Sequence, residues 1–429
     1  MGGLQDLRWW IRSRRACFTD RSTTRVCPGA SESGVADYLT RVFSDPDELD
    51  PVSWDDLLGQ QPHPTPFMRH AYLTALHRSG SAVPATGWAP RFVTLWRDGR
   101  LAAAAALYLK SHSYGEYVFD WAWADAYRRH GLRYYPKWLG AVPFTPVPGT
   151  RLMAEDEAAR ASLAGQIRFT AVESGLSSAH LLFIDPVDRQ TLQASGWMIR
   201  EGVQFHWQQD ARAPWRDFDA FLHSLQRHKR KNIAQERRRV AEAGVEFSVH
   251  EGRDIDESLW DHFHRCYELT YAAHHSTPYL TRAFFAEMAR AMPEHWVMFV
   301  GRREGSPIAA SLIAVDPSRR VAWGRYWGCT EHVPCLHFEA CYYQPLAWCI
   351  ARGYTRFEGG AQGEHKMARG LMPVHTASAH WLADERFADA VADFLAREGA
   401  GVSAYVDELA DRTPFRPVGA SPPNLSSPA

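Results

Sequence analysis

Two distant stretches of this chain follow one plan, and that repetition limits the possible folds more than any other feature. One begins at Trp96 and reads WRDGRLAAAAALYL; the other begins at Gly301 and reads GRREGSPIAASLIA. Each reads as a strand end, a charged turn carrying glycine, and a return strand of small apolar residues, which is a β-hairpin. Each is followed by an aromatic stretch read as a strand (117–121 and 321–328), a helix (122–131 and 338–351) and a further short strand (179–184 and 354–357). A chain of 429 residues is too long for one compact core. The expectation is therefore an α/β protein of two domains with the same topology, each a mixed central sheet flanked by helices. The boundaries read as 36–210 and 211–412, after an irregular, Arg/Ser/Thr-rich N-terminal extension over 1–35. A Pro/Ser-rich disordered tail is expected over 413–429.

Other expected elements follow from periodicity and caps. Residues 52–58 read as a helix with Ser53 as cap, and 67–78 as a second helix. Residues 218–243 read as one long basic helix ended by Gly244, and 385–398 as a late helix after a strand at 376–382.

Composition removes several classes of function. Acidic and basic residues nearly cancel, with a formal charge of -1, so an anion-binding surface has to be a local patch and not a global field. The seven cysteines are odd in number and show no CxxC pair, which points to a reducing, cytoplasmic setting and not to a disulfide framework. No apolar run has the length of a membrane span, and the arginine-bearing N-terminus lacks an apolar signal core.

Four groups of residues suit chemistry. The first is residues 354–373, YTRFEGGAQGEHKMARGLMP. A strand ends there in Glu358, Gly359 and Gly360, and Gly363, Glu364, His365, Lys366 and Arg369 follow. Glycines after a strand let backbone approach a ligand, so this stretch suits a crevice at a strand end; a turn leading to a charged surface helix is the plain alternative. The second is His228-Lys229-Arg230-Lys231-Asn232 with Arg237-Arg238-Arg239, where positive charge recurs around the helix. It suits phosphates on a nucleotide, a cofactor or tRNA, or else a solvated surface. The third is Cys329, His332, Cys335, His337 and Cys341, whose spacing matches no common zinc module; no metal is expected, and a Cys341 nucleophile beside His337 stays open.

The fourth group is acidic residues at strand ends: Asp120, Glu339 and Glu358. Amide formation from an activated ester requires an ammonium to lose a proton and an oxyanion to be stabilised. Glu358 or His365 with Lys366 fits those two tasks, and a structural salt bridge is the alternative. Aromatic residues, Tyr326 among them, are mostly expected in cores, with a minority lining a cleft.

The long motifs from Tyr117 (YVFDWAWADAYRRHGLRYYPKWLGAVPFTPVPG) and His337 (HFEACYYQPLAWCIARGYTRFEGGAQGEHKMARGLMP) resemble the FemAB-like N-acyltransferases of the GNAT superfamily, which are associated with peptidoglycan biosynthesis. The resemblance covers residues 52–398. More distantly the chain resembles the Fem-type aminoacyltransferases, whose Arg-x-Asn-Ile helix start is similar to Arg230-Lys231-Asn232-Ile233. It implies two GNAT-like domains and transfer of an acyl or aminoacyl group from acyl-CoA or aminoacyl-tRNA to a small-molecule or peptide amine. No tightly bound cofactor is implied, and tRNA is a possible partner. For that reaction Glu358, His365, Lys366 and Asp120 are the expected catalytic residues. Lys229, Arg230 and Asn232 would bind the donor, and Glu339, Gly359, Gly360, Gly363, Arg369 and Tyr326 would line the substrate site. A Gln/Arg-x-x-Gly-x-Gly/Ala pyrophosphate loop is missing, as is an inserted coiled-coil arm. A non-catalytic RNA- or nucleotide-binding protein on a degenerate acyltransferase fold is the alternative.

Overall fold

The computed structural model describes residues 38–360 and 363–416. The expected extension over 1–35 lies outside the described residues, as do residues 417–429. In the first half the strands are β1 (Leu39–Phe43), β2 (Trp88–Arg97), β3 (Arg100–Lys110), β4 (Lys137–Gly140), β5 (Met153–Ala154), β6 (Ser178–Ile184) and β7 (Met198–Gln208). In the second they are β8 (Val245–Glu251), β9 (Trp296–Arg303), β10 (Ser306–Asp316), β11 (Val321–Cys329), β12 (Arg356–Glu358) and β13 (Met372–Leu382). The two hairpins read from sequence are β2–β3 and β9–β10.

All thirteen strands form one sheet in the order β1-β2-β3-β4-β6-β13-β7-β12-β11-β10-β9-β8, with β5 on β3. The two halves have the same plan, and each hands its last strand to the other. β13 pairs with β6, Ala379 opposite Leu181, and β7 pairs with β12, Phe357 opposite Trp207. β7 and β13 pair with each other at the centre. A division at 210/211 thus follows chain order but not sheet membership.

Side chains alternate across a strand, so neighbouring residues feed opposite faces. Phe92 and Met298 join a core that both halves share, with Trp54, Tyr72, Trp260, Phe284 and Trp323. Val93 turns to a first-half core with Leu163 and Trp197, and Phe299 to a second-half core with Trp207, Leu346 and Phe357. Among the described residues no helix is long and apolar enough to cross a membrane.

Several expectations are corrected. Residues 117–121 form no strand: Tyr117 takes a positive φ of 63°, and Asp120 precedes the helix Trp121–Arg129. Helix Pro51–Gly59 is capped by Asp50, whose carboxylate accepts from the Ser53 N–H. The long basic helix is two, Phe218–Ser224 and Arg227–Glu242, interrupted by an extended Leu225. Leu225 bridges to Phe415, and the Gln226 N–H donates to the Pro414 carbonyl. Residues 413–416, expected in the tail, are thereby bound into the fold. The helix expected at 338–351 contains a π turn, Glu339–Tyr343, and the late helix runs on to Asp411.

Helix Glu257–Ala273 lies directly on β11. A Cβ at Gly328 would collide with the Cys266 carbonyl oxygen, and backbone cannot swing aside as a side chain can. Gly328→Ala should therefore destabilise the fold by about 1–3 kcal/mol, or more if the helix cannot shift. Urea unfolding would measure it, and unchanged stability would show that this contact is loose.

Candidate active site

β11 and β12 are parallel and pair only over Val321–Trp323 and Arg356–Glu358. Beyond that point β11 continues alongside β10, whereas the chain after Glu358 turns away through Gly359 and Gly360. Two parallel strands that separate leave a crevice at their carboxyl ends, a common place for ligands in α/β sheets. β11 also carries a bulge there. Gly324 faces Ile313 and Tyr326 faces Leu312, so Arg325 is the extra residue. The crevice has a volume of about 330 Å³. Its walls are Gly324, Arg325, Tyr326 and Trp327 of β11, Gly359 and Gly360, Tyr267, Thr270 and Tyr271 from the helix above, and Tyr117, Phe144 and Pro146 from the first half. A Cβ on Gly359 would press on the Leu371 side chain and the Phe205 carbonyl, and Gly360 needs its positive φ of 74°.

The equivalent place in the first half is closed. β4 and β6 are parallel from Trp138 to Gly140 and then part, but the chain folds back and Gly149 pairs again with Ile184. The buried Arg151 guanidinium donates to the carbonyls of Val147, Thr150 and Leu182, which fills the gap.

Glu358 stands at the root of the crevice, one residue before Gly359 and opposite Trp323. It is 3% exposed. Arg356 Nε lies 3.2 Å and His206 Nε2 3.9 Å from its carboxylate. Burial pushes its pKa up to about 7, with Arg356 and a hydrogen bond from the facing Trp323 opposing. Burial, Arg356 and Lys366 push His206 down to about 3, so that ring is neutral. Lys366 Nζ donates to the carbonyls of Gly359 (2.7 Å) and Gly360 (3.2 Å), clamping the glycine turn. Its pKa falls to about 8 through burial, against the opposing pull of Cys341.

The other expected residues divide into three places. Glu339 pairs with Arg237 (3.2 Å) and Arg369 with Glu236 (2.9 Å), so the basic helix is fastened to the π turn and to the 3-10 turn Glu364–Arg369. His365 is exposed beside Tyr342, 3.4 Å from its hydroxyl, and Gly363 (φ 119°) leads into the same turn. Lys229 and Arg230 are half-buried and Asn232 exposed on the helix Arg227–Glu242. Among the described residues Arg230 Nη1 is buried without a hydrogen-bond partner.

Asp120 lies apart from all of these. Its contacts are Lys137, Tyr134 (2.6 Å) and His180 (3.9 Å), and none is to a residue of the crevice wall. The expectation that Asp120 closes a strand and joins Glu358 is thus corrected: it belongs to a buried ion pair in the first half. The His337 ring lies tilted against Trp327, with 4.7 Å between centroids, and burial raises the Cys341 thiol pKa. Among the described residues no group of three or more His, Cys, Asp or Glu is placed to hold a metal ion.

Glu358, Gly359, Gly360, Lys366 and Tyr326 are thus brought together. Sequence reasoning missed Arg325, Tyr267, Tyr271, Phe144 and His206. One signal was available: Arg325 interrupts the otherwise uncharged strand VAWGRYWGC.

A family model described as FemAB-like, peptidoglycan biosynthesis/recognition, matches residues 45–417. The chain belongs to the FemAB-like family. Among curated protein sequences none matches it significantly. Of solved structures, this FemAB-like chain is similar to the C-terminal domain of a protein assigned as a lysylphosphatidylglycerol synthetase from Agrobacterium fabrum. That likeness has 13% identity and a TM-score of 0.50, covering 83% of this chain and 97% of that one. It is also similar to L-PGS from Bacillus licheniformis (11% identity, 78% and 93% covered, TM-score 0.50) and to FemX (11%, 80% and 98%, 0.49). At such identities the likeness is one of fold alone, a mixed α/β sheet flanked by helices.

Proposed function

We propose that this chain is an N-acyltransferase that moves an acyl or aminoacyl group from a thioester or a tRNA ester to an amine in the β11–β12 crevice. The observation that carries this reading is Glu358: a buried carboxylate with a raised pKa, one residue before the Gly359–Gly360 wall of an open crevice. Such a group accepts a proton near neutral pH. The acceptor's ammonium gives a proton to Glu358, directly or through a water. The freed amine attacks the acyl carbon, the new C–N bond forms, and the C–S or C–O bond to the donor breaks. The attacking nitrogen gives up its second proton, which leaves on the thiol or ribose hydroxyl.

Beyond Trp323 the edge of β11 has no β12 partner, and backbone N–H groups there suit the tetrahedral oxyanion. Lys366 fixes the glycine turn and sets a positive charge beside it. Lys229 and Arg230 would meet donor phosphates.

The test is amide formation, detected by mass spectrometry, from CoA thioesters and aminoacyl-tRNAs offered in parallel with a panel of amines. A proton acceptor titrating at about 7 works only when ionised. The initial rate should therefore rise with pH through about 7 and level off above it, across a range of about pH 5.5 to 8.5. A rate flat across that range, or no amide from any donor, would remove this reading.

A further inference from the structure

The crevice contains a charge that the proposed transfer does not use. Arg325, the bulge residue of β11, lines it. Its Nη2 donates to the Phe144 carbonyl (3.0 Å), the Thr145 hydroxyl (3.2 Å) and the Tyr326 hydroxyl (2.8 Å). The rings of Phe67 and Tyr326 lie 5.2 and 4.8 Å from the guanidinium carbon. All of these partners are neutral. No carboxylate of the described residues is in ion-pair reach of Arg325, whereas Arg356, Arg369 and Arg237 elsewhere in the second half each have one. Its Nε is buried without an acceptor among the described residues.

A cation held among aromatic rings without a counter-ion is costly unless something else brings the negative charge. Cation–π contacts offset part of that cost but leave the N–H unmet. The side chain is not sealed off: Arg325 keeps intermediate exposure, and it forms part of the crevice wall. A tertiary strut from β11 to residues 144–145 would account for Nη2 alone.

We propose that Arg325 binds the carboxylate of the acceptor, which makes the acceptor an amine of the amino-acid class: a primary amine with a free carboxylate and an apolar or aromatic side chain. This rests on the reading of the crevice as the site of transfer. Guanidinium groups match carboxylates in shape and charge. One guanidinium among Tyr117, Phe144 and Tyr271 balances a monoanion better than a polyphosphate, and those rings would take the side chain. The donor's phosphates fall instead to the basic helix.

Titration calorimetry on the full chain with L-phenylalanine and L-phenylalaninamide tests this directly. The two probes share the amine and the ring and differ in the charge Arg325 would meet. The wild-type protein should prefer L-phenylalanine by at least about tenfold, and Arg325→Gln should level the two. The wild-type comparison does not depend on the variant folding. Equal affinities, no binding of L-phenylalanine, or a preference that survives in Arg325→Gln would each overturn the assignment. The two readings fail separately. Carboxylate-selective binding with no amide from any donor leaves the Arg325 site and removes the transferase. Equal turnover of amines with and without a carboxylate does the reverse.

Discussion

Glu358→Gln is expected to lower the rate of amide formation by at least about 100-fold, the lower end of what a positioned general base contributes. Glutamine keeps the shape of the side chain and its hydrogen-bonding length but cannot take the ammonium proton. The fold should not suffer. Glu358's pKa is raised from 4.5 to about 7 in the folded protein by burial. The unfolded chain therefore gives up this proton first as pH rises, and the ionised carboxylate weakens the fold progressively between those two values. A neutral amide removes that penalty, so thermal unfolding at pH 8 should show a midpoint equal to or above wild type. A variant with wild-type turnover would exclude Glu358 as the base. A variant that is inactive because it is unfolded would contradict the burial argument instead.

The second large effect is on stability. Lys137 is fully buried and paired with Glu116 (2.9 Å) and Asp120, which are themselves almost completely buried. Burial alone works against the lysine charge, but the two carboxylates hold its pKa up. Burial likewise opposes the ionisation of Asp120, and Lys137 with His180 outweighs it and holds the pKa low. Glu116 goes the other way, pushed by burial up to about 7 against the pull of Lys137. Lys137→Met keeps the volume and leaves the acids without their cation. Breaking one member out of a buried ion group costs about 3–5 kcal/mol, mainly from the charges left behind. The loss should be greater at pH 8 than at pH 5, because Glu116 can take up a proton at the lower pH. Urea unfolding at the two pH values measures both statements, and a loss under about 1 kcal/mol at pH 8 would show that the cluster is not a closed ion group.

That cluster also ties the halves together. His180 of β6 meets Asp120 on one side and His380 of β13 on the other, with 2.8 Å between the two Nδ1 atoms. β13 comes from the far end of the chain, so a second-half residue packs against the histidine that meets this first-half ion group.

What the amino-acid sequence determined by itself was local. The hairpins at 96–109 and 301–314 were legible because charged, glycine-bearing turns separate strands of clear composition. The doubling of the plan followed from them, as did a strand ending in Glu358 and glycines. The tertiary structure decided the rest. Residues 117–121 have the composition of a strand, but Tyr117 takes a positive φ and joins the crevice wall instead. The basic stretch 218–243 has helical composition throughout, yet packing against Phe415 and Pro414 breaks it at Leu225.

The exchange of β7 and β13 could not be read, because a half-buried strand states which face it buries but not which edge it joins. Nor could the choice of crevice. Both halves have two parallel strands that part, and only the packing of residues 141–151 back onto β6 closes one of them. Arg325 faces that open crevice because a one-residue bulge shifts β11 against β10. A bulge is set by the pairing of two strands, and neither strand's sequence contains the other.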